Sequence, residues 1–166
     1  MRIAGVIRDS LVNGEGLRDV VFVQGCPHYC INCHNKNTWD FDGGKEISPK
    51  ELADMFKDSP NDITISGGEP FAQLKSVAYF MWYVRMNNPN KKFWVYTGYN
   101  YEYIEKAVND YLLPYVEVIV DGQYVEKLKD PNCLYRGSTN QRLIDVKQTV
   151  ASGNIVLWED KNETQL

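Results

Sequence analysis

The chain has few of the features that would place it in a membrane, on a nucleic acid or outside the cell. Its 166 residues contain no apolar run approaching the roughly eighteen residues of a membrane span. Lysine and arginine are scattered, and a net charge of -4 gives no general attraction to phosphate. Residues 1–12 mix polar and apolar types, unlike the basic and then apolar start of a signal peptide. We therefore expect a cytoplasmic protein that binds neither membrane nor nucleic acid.

Internal repeats and low-complexity tracts are also missing. The hydrophobic content of 43% and aromatic content of 13% suit a globular fold rather than a disordered chain. A chain of this length can bury a substantial core within one domain. We predict a single domain over residues 1–159, followed by a polar tail at residues 160–166.

Cysteine is scarce, but three of the four cysteines lie within residues 26–33. Cys26, Cys30 and Cys33 form the pattern CxxxCxxC. Each iron of a 4Fe-4S cube takes one outer thiolate, so three cysteines leave one iron open. An open metal position can bind something that reacts, as the free position of a catalytic zinc does. The spacing predicts a cluster that takes part in chemistry.

Other uses of these thiols stay open at this point. A structural zinc usually takes two separated ligand pairs, whereas the only nearby additions, His28 and His34, are crowded against the cysteines. Incidental thiols are the second alternative, and disulfides are not expected without an oxidising compartment. Cys133 stands alone in a turn-like stretch, where a bystander thiol is the simplest interpretation; the alternatives are a fourth ligand or a contact with the partner.

Strands alternate with helices along the chain. β-branched and aromatic runs predict strands at residues 19–24, 62–66, 92–97 and 116–120. Helices are predicted at residues 49–57, 71–87 and 101–108. The second helix has the clearest signal, because its apolar residues recur at steps of three and four. Alternation of this kind predicts an α/β fold with a parallel sheet.

Each predicted strand ends in residues that suit a binding site. The cysteine loop follows the first strand, Gly67-Gly68-Glu69-Pro70 follows the second, Thr97-Gly98 the third and Asp121-Gly122 the fourth. Ligands collect at the carboxyl ends of parallel strands, so we expect these loops to face one site. Adjacent glycines expose their backbone to a small ligand, although Gly-Gly-Glu-Pro and Asp-Gly alone would be ordinary turns.

The pairing of CxxxCxxC with Gly-Gly-Glu-Pro resembles the radical S-adenosylmethionine superfamily. More closely, the chain resembles the anaerobic ribonucleoside-triphosphate reductase-activating protein family. The likeness covers residues 13–18, 22–26, 96–99, 120–122 and 136–142. The last of these stretches, Arg-Gly-Ser-Thr-Asn-Gln-Arg, is typical of this family rather than of the whole superfamily. The resemblance implies an incomplete β/α barrel of largely parallel strands, of the radical S-adenosylmethionine type.

The resemblance also implies an enzyme, an oxidoreductase that activates another protein. Cys26, Cys30 and Cys33 would hold three irons of a 4Fe-4S cluster, and S-adenosylmethionine would chelate the fourth. Reductive cleavage would yield a 5'-deoxyadenosyl radical, which would take hydrogen from a glycine of the anaerobic ribonucleoside-triphosphate reductase. The product is a glycyl radical. No side chain is expected to be catalytic, because the cofactors carry the chemistry.

The family resemblance supplies further expectations about ligands and partners. Contacts with S-adenosylmethionine are expected from Asn32, Cys33, His34, Gly67, Gly68, Glu69, Thr97 and Asp121. A low-potential electron donor such as flavodoxin is expected as a second partner. The aromatic cluster on the long helix, at residues 79–83, suits core packing together with an interface. A homodimer or docking to the reductase would use such a surface.

The sequence alone leaves two alternative functions open. One is another small radical S-adenosylmethionine enzyme, similar to 7-carboxy-7-deazaguanine synthase or to pyruvate formate-lyase activase. The chain is short for enclosing a small substrate, which favours a protein loop as substrate. The other alternative is a zinc or iron-sulfur module without catalysis.

Overall fold

One seven-stranded sheet organises the structure, a computed structural model that describes residues 1–160. The strands are β1 (Arg2–Ser10), β2 (Arg18–Val23), β3 (Lys45–Glu46), β4 (Asp62–Gly67), β5 (Phe93–Tyr96), β6 (Val116–Asp121) and β7 (Arg142–Asp145). The helices are α1 (Pro49–Asp54), α2 (Leu74–Asn87), α3 (Tyr101–Ala107) and α4 (Val146–Ser152). The predicted tail lies outside the described residues except for Asp160, and the single-domain boundary stays a prediction.

The sheet has parallel strands at its centre and antiparallel strands at its edges. Its order is β3-β1-β2-β4-β5-β6-β7. The neighbours β2, β4, β5 and β6 run parallel, whereas β1, β3 and β7 join the sheet through antiparallel pairs. Within the described residues the sheet is open, with β3 and β7 as its edges. The predicted α/β class with a parallel centre is thus confirmed.

The central elements follow from local sequence. The middle residues of β4 and β6 are buried on both faces, as expected for strands covered by other layers. Helix α1 begins at a capping box, in which the Ser48 hydroxyl accepts from Glu51 N and Glu51 accepts from Ser48 N. This helix ends at Asp54, three residues earlier than predicted. Helix α2 is preceded by a 3-10 turn at Pro70–Gln73.

Three strands and one helix were not predicted. Strand β1 mixes polar and apolar residues because most of its side chains stay partly or fully exposed. Its pairing with β2 includes two irregularities in register, which further blur any alternation. Strands β3 and β7 are short edge strands, and α4 follows β7 directly. Their conformations depend on the pairing partner more than on local propensity.

Each face of the sheet carries an apolar layer. The larger core packs the helices against β-strand residues such as Phe93 and Val95. The opposite face carries a smaller cluster around Trp94, with Tyr135 and Trp158 packed against it. Within residues 1–160 no helix has the length and apolar character needed to span a membrane.

Candidate functional site

The carboxyl ends of the four parallel strands lie side by side, and backbone hydrogen bonds join the loops that follow them. Glu69 N donates to Gly25 O at 2.8 Å, which links the loop after β4 to the end of β2. Thr97 N donates to Val120 O at 2.9 Å, which links β5 to β6. The structure therefore brings the motif-bearing loops to one edge of the sheet.

Gly67 and Gly68 allow the loop after β4 to cross close to β2. Gly67 has a φ of +99°, and a Cβ there would lie 2.6 Å from Val23 N. A Cβ on Gly68 would lie 2.3 Å from Gly25 O. Both distances are too short for real atoms, so any side chain would push the strand ends apart. The two glycines are required by the backbone packing of this edge.

The cysteine loop is tied down at its start and exposed further along. Gly25 N donates to Thr38 O at 2.7 Å, and Cys26 N donates to Trp39 O at 3.1 Å. Cys26 is buried, whereas Cys30 and Cys33 are partly exposed. Cys33 N donates to Cys30 O at 3.1 Å, which closes a turn between these two cysteines. The loop thus places one thiol inside the protein and two near its surface.

The electrostatics of the loop fit a cationic metal centre. Burial raises the pKa of the Cys26 thiol to about 11, and the nearby Glu69 carboxylate adds to the effect. Burial also raises the pKa of Cys30, and the Cys33 thiol adds to it. Neighbouring thiols of this kind are stable as thiolates only when a positive charge offsets burial and mutual repulsion. Three thiols on one loop are a donor set that suits an iron-sulfur cluster.

Glu69 is a buried carboxylate that joins three loops. It accepts from Thr97 Oγ1 at 2.9 and 3.0 Å and from Gly98 N at 2.8 Å, both in the loop after β5. It also accepts from Phe71 N at 3.0 Å, which caps the 3-10 turn leading into α2. The His28 ring pairs with it at 2.7 Å. Glu69 and Thr97, both predicted site residues, are therefore in direct contact.

Comparison with known proteins assigns the chain to a family. Residues 12–144 match the family model described as a 4Fe-4S single cluster domain. A protein of Haemophilus influenzae is 34% identical over 140 residues, which are 80% of this chain and 90% of the relative. A relative from Vibrio cholerae is 36% identical over 141 residues, again 80% and 90% of the two chains. A relative from Enterobacteria phage T4 is 38% identical over 140 residues, 81% and 87% of the two chains.

All three relatives carry the name anaerobic ribonucleoside-triphosphate reductase-activating protein. The chain belongs to this family. The match to a 4Fe-4S domain favours an iron-sulfur role for the cysteine loop over a zinc role. Within residues 1–160 no three His, Cys, Asp or Glu side chains meet the geometry of a site for one metal ion. Ligands of a cube bind separate irons, so they stand farther apart than ligands of one ion.

The remaining contacts expected from the family lie in two places. Asn32 and His34 are exposed on the cysteine loop, and the His34 ring packs edge-on against Tyr124 at 5.7 Å. Asp121 is buried at the end of β6, where it accepts from Tyr101 N at the start of α3 at 2.8 Å. Among the described residues, Asp121 and Glu69 have separate hydrogen-bond partners, and no hydrogen bond joins their side chains.

Arg142 is the main partner of Asp121. Its Nε donates to Asp121 Oδ1 at 3.0 Å, and its Nη1 donates to Glu102 Oε1 at 3.0 Å. Hydrogen bonds from Arg142 lower the pKa of Glu102 to about 2. The pairs join α3, β6 and β7, so Arg142, the last residue of the stretch 136–142, contributes to the strand-end structure.

Sequence reasoning assigned no site role to His28 of the cysteine loop or to the two residues that contact its ring, Tyr99 and Gln123. His28 was noted only as a weak zinc candidate, and its ring meets Tyr99 edge-on at 4.6 Å. Gln123 Nε2 lies 3.2 Å from His28 Nδ1. Tyr99 and Gln123 directly follow the glycines after β5 and β6. This position at strand ends was the sequence signal that could have identified them as site residues.

Cys133 lies in a different environment from the loop cysteines. It lines a groove of about 460 Å³ together with Leu11, Val12 and Tyr96. Its backbone N donates to Asp130 O at 3.1 Å, in the turn expected from the sequence. The surroundings agree with a bystander thiol, which stays a prediction.

Proposed function

We propose that this protein is the activase of an anaerobic ribonucleoside-triphosphate reductase and introduces a glycyl radical into it. The relatives are named as activating proteins of that reductase. The observation that carries the proposal is the cysteine loop at the end of β2, held beside Gly67, Gly68 and Glu69 within a matched 4Fe-4S domain.

The proposed cofactors are a 4Fe-4S cluster and S-adenosylmethionine. When bound, they supply the electron and the 5'-deoxyadenosyl radical that removes hydrogen from a glycine Cα of the reductase. Three cysteines of one loop hold three of the irons: Cys26, Cys30 and Cys33. Their placement on one loop beside the Gly67–Glu69 turn, within the region that matches a 4Fe-4S domain, supports the assignment.

The chain itself binds and orients the ligand. Gly67, Gly68 and Glu69 are proposed to line the methionine end, and backbone around Asn32, Cys33 and His34 to line the adenine. Thr97 supports Glu69 through its hydroxyl, and Asp121 is proposed as a contact from the end of β6. Placing the reacting atoms close together lowers the entropic part of the barrier.

We propose that the open sheet is the incomplete β/α barrel of radical S-adenosylmethionine enzymes. A sheet that does not close into a full barrel within residues 1–160 supports a protein loop as the proposed substrate. A flavodoxin-like electron donor stays a prediction from the family resemblance, and a homodimer stays a prediction from the aromatic cluster of α2.

The test is an anaerobic reconstitution with iron and sulfide, followed by reduction and addition of S-adenosylmethionine and the cognate reductase. We expect a brown protein that cleaves S-adenosylmethionine, and a glycyl radical on the reductase in electron paramagnetic resonance. The Cys30→Ala protein is the matched control and should produce no radical.

Two outcomes would contradict the proposal at different points. A colourless protein with one zinc per chain would contradict the cluster. An intact cluster that cleaves S-adenosylmethionine without any glycyl radical on the cognate reductase would contradict the partner.

A further inference from the structure

His28 lies between two proposed cluster ligands, Cys26 and Cys30, yet its side chain turns inward. Only 8% of that side chain is exposed, whereas the neighbouring Pro27 and Tyr29 are exposed residues. A polar ring in such a position needs hydrogen-bond partners, because burying it unpaired would be unfavourable.

Both ring nitrogens of His28 have a partner. Nε2 lies 2.7 Å from Glu69 Oε2, and Nδ1 lies 3.2 Å from Gln123 Nε2. A carboxylate oxygen accepts, so Nε2 donates to Glu69 Oε2, and the Gln123 amide faces the other ring nitrogen. The two contacts tie the cysteine loop to the ends of β4 and β6.

The His28 ring also packs against Gly98, which has no side chain. A Cβ on Gly98 would lie 2.4 Å from His28 Cδ2, and the Tyr99 ring packs edge-on at 4.6 Å. Any residue larger than glycine at position 98 would displace the imidazole. The end of β5 is thus shaped to receive His28.

Glu69 is a rigid acceptor for this contact. Its side chain is fully buried, and Thr97 Oγ1 and Gly98 N hold the same carboxylate oxygen that His28 contacts. A buried carboxylate is costly to leave short of donors. Loss of the His28 donor would therefore loosen the loop at the place where it meets the Gly67–Glu69 turn.

We propose that His28 is a positioning residue that sets the cysteine loop against the Gly67–Glu69 turn. It fixes the distance between the side of the site that holds the cluster and the side that holds the methionine end of S-adenosylmethionine. This inference rests on the proposed function, and it assigns to His28 a role distinct from metal ligation or catalysis.

The experiment compares His28→Leu, His28→Gln and Tyr29→Leu after anaerobic reconstitution. Leucine removes the donor, glutamine keeps an N–H that can reach Glu69, and Tyr29→Leu changes an exposed neighbour in the same loop. Binding of S-adenosylmethionine is followed by the change it causes in the electron paramagnetic resonance spectrum of the reduced cluster.

We expect His28→Leu to raise the Kd for S-adenosylmethionine about tenfold, the effect of losing one hydrogen bond to a buried charged group. His28→Gln should restore most of the affinity and the spectral change, and Tyr29→Leu should match the unmodified protein. Rescue by glutamine distinguishes positioning from a loss of loop bulk.

An unchanged Kd and spectrum in His28→Leu, with one cluster per chain, would overturn the inference. If that variant takes up no cluster, Gly98→Ala tests the same contact, because its methyl group displaces the ring while the loop keeps its sequence. A wild-type Kd in Gly98→Ala would again overturn the inference. Failure of the unmodified protein to bind S-adenosylmethionine would instead contradict the proposed function.

Discussion

At the scale of single residues, the four cysteines are chemically identical, and their surroundings distinguish them. Burial, with a smaller contribution from the Glu69 carboxylate, raises the pKa of the Cys26 thiol, and Cys26 lies in one loop with Cys30 and Cys33. Cys133 lines a groove with apolar neighbours and has no part in that loop. The spacing of the three loop cysteines therefore carries the metal hypothesis.

Replacing any one of Cys26, Cys30 or Cys33 by alanine should abolish stable 4Fe-4S binding, because one iron would lose its protein ligand. Iron and sulfide per chain after anaerobic reconstitution measure the effect. Cys133→Ala is the matched control and should keep a full cluster. Loss of the cluster in that control would contradict ligation by three cysteines.

The aromatic residues of α2 divide between core and surface at the scale of the helix. Phe80 is fully buried, with its ring edge-on to Phe56 at 5.7 Å and to Phe93 at 6.3 Å. Tyr79 is 60% exposed and Trp82 is 42% exposed. The helix thus combines a packed face with an aromatic surface, as the breadth of its aromatic pattern indicated.

Phe80→Ala should lower the free energy of unfolding by about 3–4 kcal/mol, because it leaves a cavity between Phe56, α2 and β5. Urea unfolding of the protein without cofactors measures this. Tyr79→Ala, one residue earlier on the exposed side, should change stability by no more than about 0.5 kcal/mol. Equal losses in the two variants would contradict the assignment of faces.

The two ends of the parallel strands differ at the scale of the whole molecule. One end packs around the buried Arg18, and the other end carries the proposed site. Arg18 is buried at the start of β2, where its Nε donates to Thr64 Oγ1 at 2.8 Å and its Nη2 donates to Ile63 O at 2.9 Å. Its guanidinium lies 5.3 Å from the Trp94 ring centroid, and burial lowers its pKa. The cysteine loop leaves the opposite end of the same strand.

Arg18→Met should therefore destabilise the fold without altering the site. We expect a loss of about 3 kcal/mol, since buried acceptors at Thr64, Ile63 and Glu15 would lose their donor. Thermal unfolding measures the loss, and cluster content per folded chain should stay unchanged. A stable variant that fails to hold the cluster would argue for a direct role of Arg18 in the site.

Much of the central fold was predictable because its signals are local. The period of α2, the Ser48 cap and the buried runs of β4 and β6 each reflect backbone geometry over a few residues. Strands β1 and β7 were not predictable in this way, because antiparallel partners at the sheet edges stabilise them.

The sequence by itself determined the chemistry of the site, since the cysteine spacing and the Gly-Gly-Glu-Pro motif are properties of short segments. Only the tertiary structure decided how those segments meet. The contact of His28 with Glu69 joins residues 41 positions apart, and the role of Gly67 depends on the backbone of β2. Such contacts exist only after parallel strands have aligned, because alignment alone brings the carboxyl ends of separate segments to one edge.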